Sequence, residues 1–436
     1  MKNSTTIIII TLIIVILVFY FYKKYGEENI EDSIIDEIEE EINDTIIDDD
    51  TIIDDGNGKL LELYEGFKIS YYTFGARDAW NKTEFNSAGM PFNQSSMEKY
   101  NHAWAFRPQY LTLRESGVYP PVEVLTPTLG DYTPEYLKLY KDNCQEFWVH
   151  ISNSDYHGME DMVMDDKIGQ EAINFIAKYA KEWGCKGVDI NFEAFGEYTS
   201  EFVAAFVIWL KKLKTKLNSF GCKLSYAMPS ISAPVIQNAY KFNYGTYIDS
   251  VDYITIMAYD IGMDFGFGMS NCPTAALIGG YYDDKGLTNP NVPNPERHEQ
   301  GVTHFYDRGI LGKFFDDCGD NMDKLIIGLP NYGMYNLDEK DSAWDYNNNI
   351  GLNRINLGPE FDTNIMDGKR TSDGVLRWHN GKDRYIEYND GHALRKRIMA
   401  CKNWLDKWES ENPDMKKPHR EICIWYMGSN NQTPFD

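Results

Sequence analysis

The stretch GVDINFEAFG, from Gly187 to Gly196, constrains the chain more than any other. Val188, Ile190 and Phe192 alternate with Asp189, Asn191 and Glu193, and a glycine-containing segment ends the run. That pattern predicts a buried strand with its three polar groups on one face. Polar groups on such a face are costly unless they are paired or used. Glu193 is the last of them, where strand gives way to loop. In a barrel of parallel strands that end faces the ligand. Two readings stay open at this point. Either Glu193 is a general acid at a barrel mouth, or the three polar groups only satisfy one another in the core.

The rest of the chain supplies further strands of the same kind. Runs at Phe67–Phe74, Val122–Leu125, Phe147–Ile151, Lys223–Met228, Tyr253–Tyr259, Leu325–Leu329 and Ile422–Met427 bring the total to eight. Helical patterns at Thr133–Lys141, Ile168–Trp183, Phe202–Leu217 and Ala393–Trp408 lie between them, and Asn81–Arg107 reads as a long loop. Apolar strands alternating with helices predict a parallel sheet, and eight of them predict a closed (β/α)8 TIM barrel. The chain ends soon after the eighth run, leaving little for an accessory domain. A doubly wound open sheet is the alternative, but no G-x-G-x-x-G follows an early strand.

The first sixty residues differ. Ile7–Tyr22 is almost purely aliphatic and aromatic, slightly short of the roughly 20 residues that span a bilayer, and Lys23 and Lys24 close it. It lacks a small-residue cleavage pattern, so an uncleaved transmembrane anchor over 1–24 is expected rather than a signal peptide. Residues 25–59, dense in acids and isoleucine pairs, read as an extended linker. The folded domain is expected over 60–436. The sequons at Asn81, Asn93 and Asn431 fit a single-pass membrane protein whose barrel is lumenal or extracellular. The anchor makes the membrane a partner. A net charge of -25 excludes duplex nucleic acid as one. Seven cysteines without a close C-x-x-C pair support neither a metal cluster nor a disulfide scaffold, and no cofactor is indicated.

Several further residues are candidates for a pocket. Tyr226 and Met228 stand near the end of the fifth strand, His150 and His157 near the end of the third. Trp80 and Trp104 are groove candidates in or beside the early loop, whereas Trp183 and Trp209 fall in helical patterns and read as core. Trp344 and Trp378 are left open.

Taken together, these segments resemble family 18 glycoside hydrolases, the chitinase group. That family's fourth-strand signature, D-G-x-D-x-D-x-E, aligns with Lys186 to Glu193. Gly187, Asp189 and Glu193 are kept, while Lys186 and Asn191 stand where the family has aspartates. Its sixth-strand M-x-Y-D matches Met257, Tyr259 and Asp260. IIGLPNYG, which contains Tyr332, is similar to its seventh-strand segment, and YIEYND to the run-up to the eighth. Trp425 matches its eighth-strand tryptophan. SNSDYHG replaces its third-strand S-x-G-G. The likeness spans roughly Phe67 to Gly428.

The resemblance implies retaining hydrolysis of β-linked N-acetylglucosamine glycans without an enzyme nucleophile. Glu193 would protonate the glycosidic oxygen, and the acetamido oxygen of the substrate would attack the anomeric carbon. Tyr259 would hold that acetamido group, Asp260 and Met257 would line the subsite, and Trp425 would be its floor. Asn191 would still accept the acetamido N–H but supplies no charge, a loss of about 3 kcal/mol in transition-state stabilisation. Asp189, deeper in the strand, would restore part of that charge. The alternative is a chitinase-like glycan-binding barrel without catalysis. A surface protein with no sugar ligand is the third reading.

Overall fold

The computed structural model describes residues 51–54, 60–73, 100–113, 125–127, 134–153, 156–192, 199–229, 243–259, 281–282, 288–289, 309–331, 333–336, 369–370, 376–379 and 385–425. All of them belong to the unit Thr51–Asp436. Eight parallel strands form its centre: β1 (Lys68–Thr73), β2 (Ala105–Leu113), β3 (Glu146–Asn153), β4 (Gly187–Phe192), β5 (Lys223–Pro229), β6 (Tyr253–Met257), β7 (Leu325–Pro330) and β8 (Glu421–Trp425). Each pairs with its neighbours in order, and β1 pairs with both β2 and β8, so the sheet closes on itself. Closure leaves no parallel edge exposed. The (β/α)8 barrel is therefore present.

The described helices follow in chain order. They are α1 (Pro134–Asp142), α2 (Tyr156–Met164), α3 (Asp166–Glu182), α4 (Ser200–Asn218), the short α5 (Tyr244–Tyr247), α6 (Gly309–Cys318) and α7 (Gly391–Glu411). Their starts are written in the sequence. The carboxylate of Asp165 accepts from the backbone N–H groups of Lys167 and Ile168 at the head of α3, and Thr199 and Asp390 cap α4 and α7 in the same way. Gly184 and Gly221, both at positive φ, turn the chain out of α3 and α4 and into the next strand. The main core lies between barrel wall and helices. There Phe192 of β4 stacks on Phe206 of α4 at 5.9 Å, and Phe206 on Trp209 at 6.1 Å.

Two strand expectations are corrected. The second barrel strand is Ala105–Leu113, which the sequence reading left in or beside a loop. Arg107 and Pro108 hide it, because a charge and a missing N–H both argue against a central strand. The β2–β3 register shifts between Gln109 and Leu111, just after the proline, so the ladder absorbs its missing donor at an irregularity. Of the run expected as strand two, Val122–Leu125, only Leu125 lies among the described residues, in Leu125–Pro127, which pairs antiparallel with β2. The helices α2 and α6 were not expected. Extra structure among the described residues lies between β7 and β8 in the chain. It is an antiparallel sheet of Gly333–Asn336, Tyr385–Tyr388, Leu376–His379 and Lys369–Arg370.

The expected membrane anchor is also corrected. Among the described residues no helix is long and apolar enough to cross a membrane. The 1–24 segment on which that expectation rested lies outside the described residues. The expected membrane partnership and single-pass localisation rested on that segment and find no support among the described residues. At the end of the expected linker, Thr51–Asp54 pairs antiparallel with Leu60–Leu63.

Candidate active site

Alternation along each strand decides what enters the barrel. Asp189 and Asn191 of β4 face inward, and their outward neighbours Val188, Ile190 and Phe192 join the core under the helices. Beside them, β3 contributes His150 and β5 Ser225, and from further round the barrel β1 contributes Tyr72 and β2 Arg107. These side chains form one buried network with Asp189 at its centre.

The Arg107 guanidinium is fully buried. Nη1 lies 3.3 Å from Asp189 Oδ1 and Nη2 lies 2.7 Å from Glu421 Oε1. Nη1 also donates to Ser225 Oγ at 3.3 Å, and the group sits 4.3 Å over the Trp148 ring. Asp189 collects the remaining donors. Tyr72 Oη donates to Oδ2 at 2.8 Å, His150 Nδ1 meets the same oxygen at 3.0 Å, and Ser225 Oγ donates to Oδ1. Glu421 accepts from Ser70 Oγ at 2.6 Å and faces His419 Nε2 at 3.0 Å.

Burial alone would raise the Asp189 carboxyl. The hydrogen bond from His150 and the charge of Arg107 outweigh it and hold the group below the usual carboxylate range. Burial opposes ionisation of Glu421 too, but Arg107 and His419 hold it well below that range. Burial and the Asp189 charge push the Tyr72 phenol well up, so it remains a donor.

Both carboxylates are thus more acidic folded than unfolded. Their contribution to stability is fully present above the ordinary carboxylate range near pH 4 and is lost as pH falls from there toward the depressed folded values. The urea midpoint is expected to hold between about pH 7 and 5 and to fall steeply below about pH 4. A midpoint unchanged down to about pH 3 would contradict the network.

Glycine makes room for this arrangement at two strands. A Cβ at Gly187 would lie 2.2 Å from Cε3 of the Trp148 ring. That indole is fully buried and donates from Nε1 to Glu146 Oε2 at 3.0 Å, so it cannot swing aside freely. Gly187→Ala is expected to lower stability by about 1–3 kcal/mol through overpacking, with a change in tryptophan fluorescence; urea unfolding followed by that signal measures both. At Gly328 of β7 a Cβ would meet the Ile256 carbonyl at 2.6 Å and the Tyr259 ring at 3.3 Å.

Toward the C-terminal ends of the strands the lining becomes aromatic. Tyr259, just past β6, stacks on Trp425 of β8 with centroids 6.1 Å apart and planes at 22°. Trp425 also meets Tyr72 edge-on at 5.0 Å and His150 at 6.1 Å. Asn191 is 5% exposed, with its Nδ2 3.5 Å from His150 Nε2. The structure therefore brings Asp189, Asn191, Tyr259 and Trp425 together around His150 and Tyr72. Met257 is buried on the same inward parity of β6.

Other expected residues fall elsewhere. Glu193, Asp260 and Tyr332 lie outside the described residues, as do Trp80 and Trp344. Ser225 faces inward, so pleat parity turns Tyr226 and Met228 outward to the helices. Tyr226 packs on Phe206 at 5.5 Å and Tyr247 at 5.2 Å. Trp104 precedes β2 at the opposite end of the barrel, under Lys68 Nζ at 4.1 Å. Trp209 is core, and Trp183 is half-buried at the end of α3. Lys186 is exposed and does not approach the network as an ion pair among the described residues. Asp189 does not restore the charge missing at position 191. Arg107 neutralises it, and each of its oxygens already receives two donors. Sequence reasoning missed Arg107, Tyr72, Ser225 and Glu421. The one available signal was a charge inside each of two apolar runs, AFRPQYL and EICIWYM.

No family model and no curated protein matches the chain. Solved structures do. A Group IV chitinase from Ostrinia furnacalis in complex with allosamidin superposes with a TM-score of 0.56 at 13% identity, over 84% of this chain and 93% of that one. A class V chitinase from Pseudomonas fluorescens gives 0.54 at 15% identity, over 83% and 96%. The fold is that of the family 18 chitinases. The spore cortex-lytic enzyme SleL of Bacillus megaterium shares it with a TM-score of 0.53 at 12% identity, over 84% of this chain and 72% of that one. At such identities the likeness carries the family 18 fold and not the chemistry of individual residues.

Proposed function

We propose that the protein hydrolyses β-linked, N-acetylglucosamine-containing glycans of the chitin type by a substrate-assisted retaining mechanism. The observation that carries this reading is the stacked Tyr259–Trp425 pair beside Asn191 at one end of a family 18-like barrel. Trp425 is partly exposed and offers a flat apolar surface to a sugar ring. Tyr259 holds the acetamido group over it, and Asn191 accepts the acetamido N–H. Glu193, two residues after Asn191 in the sequence, protonates the glycosidic oxygen. The acetamido oxygen then attacks the anomeric carbon, and Glu193, now a carboxylate, activates the incoming water.

One observation favours a second reading, a glycan-binding barrel without turnover. Asn191 is uncharged, and the Asp189 charge is held by Arg107, so no carboxylate on β4 before Glu193 stabilises a positive ring. Release of a chromogenic leaving group from a chito-oligosaccharide, by wild type and by Glu193→Gln, separates the two. Turnover that depends on Glu193 supports the hydrolase. Equal rates sink it, and tight binding with no turnover by either form establishes the second reading.

A further inference from the structure

The network around Asp189 fixes a proton, and through it an amide. Asp189 is an ionised carboxylate with two donors on each oxygen, and it can only accept. His150 Nδ1, at 3.0 Å from Oδ2, must therefore carry the hydrogen of that contact. With that hydrogen on Nδ1, the tautomer that matches the amide nitrogen facing Nε2 carries a lone pair there. The group facing Nε2 is the Asn191 side chain at 3.5 Å. A lone pair there selects the amide nitrogen as its neighbour and turns the carbonyl oxygen away. That oxygen, Oδ1, is buried and accepts no hydrogen bond among the described residues. A buried carbonyl with unused acceptor capacity calls for a donor.

We propose that His150 is a positioning residue that sets the orientation of the Asn191 amide, so that Oδ1 serves as the acceptor for the N–H of an acetamido sugar. The assignment rests on the function proposed above and adds the device that makes an asparagine selective there. Were the amide reversed, Nδ2 would face the ligand and repel the same N–H. Among the described residues, these groups face His150. Asp189 and Asn191 come from β4, the Tyr72 ring at 5.0 Å from β1 and the Trp425 ring at 6.1 Å from β8. Arg107 of β2 acts on it through Asp189.

The test reads the imidazole directly in the ligand-free full chain. Long-range proton–nitrogen correlation spectra of histidine-labelled protein, with His150→Phe identifying the signal, are expected to show Nδ1 protonated and Nε2 bare at neutral pH. In Asn191→Asp a carboxylate replaces the amide opposite Nε2. It should draw a proton there, so that both ring nitrogens of His150 carry hydrogen at neutral pH. A proton on Nε2 in the wild type, or an Nε2 still bare in Asn191→Asp, overturns the proposal. With tri-N-acetylchitotriose as probe, His150→Phe is expected to bind about tenfold more weakly than wild type, about the value of one hydrogen bond. Equal affinity overturns the proposal as well. Absence of chitotriose binding by the wild type removes the functional reading instead, and the ligand-free imidazole signal still judges His150.

Discussion

Arg107→Met is expected to lower the free energy of unfolding by about 3–5 kcal/mol, the range for breaking a buried ion pair by removing one partner. The cost comes less from the lost attraction than from what remains. Asp189 and Glu421 would be two buried carboxylates sharing no cation, with Tyr72, Ser225, Ser70 and the histidines as their remaining donors among the described residues. Arg107→Lys should recover only part of the loss, because an ammonium cannot serve two carboxylates and the Trp148 face with one planar fork. Removing all three charges together, as Arg107→Met with Asp189→Asn and Glu421→Gln, should recover more, since uncharged partners carry a smaller desolvation penalty. Urea unfolding of the four proteins checks the order. A loss below about 1 kcal/mol in Arg107→Met would show that the network is not the keystone of the interior.

Glu193→Gln is expected to lower chito-oligosaccharide turnover by about 10²- to 10⁴-fold, the usual contribution of a positioned general acid, or about 3–5 kcal/mol in the barrier. The amide keeps the size of the side chain and removes its transferable proton, so binding should change far less than rate. Asn191→Asp is the informative companion. It places a carboxylate at position 191, where His150 takes up part of its charge and the rest supports the developing charge of the ring. A gain of up to about a hundredfold is the expected ceiling, equal to the electrostatic contribution that asparagine forgoes. Steady-state rates across pH for the wild type, the two single variants and their double variant settle the matter. A double variant no worse than Glu193→Gln alone, together with a faster Asn191→Asp, would fit the acid role; indifference of the rate to both changes would refute it.

The barrel was legible because most of its strands announce themselves as short apolar runs ended by turn residues. Seven of the expected runs overlap barrel strands, and the length of helix between them already implied parallel pairing. β2 was not legible. Its Arg107 reads locally as a solvent-facing charge and makes sense only against Asp189 and Glu421, far away in the chain. Within the site, alternation correctly placed Asp189 and Asn191 on one face, and that same rule, applied from Ser225, would have removed Tyr226 and Met228 from the pocket. They entered the expectation through nearness to a strand end, which ignores pleat parity. His150 was visible only as polar lining, since its partners sit on other strands. What periodicity cannot report is which distant residue completes a buried charge.

Arg107 meets one of its two counterions 82 residues downstream and the other 314 residues downstream. A ribosome making this chain from its amino end therefore delivers the cation and its first partner long before the second. Until Glu421 emerges the guanidinium is half-matched, the sheet is open between β1 and the place β8 will take, and two strand edges stand unpaired. Closing the ring and supplying the second carboxylate both depend on the same late strand, β8.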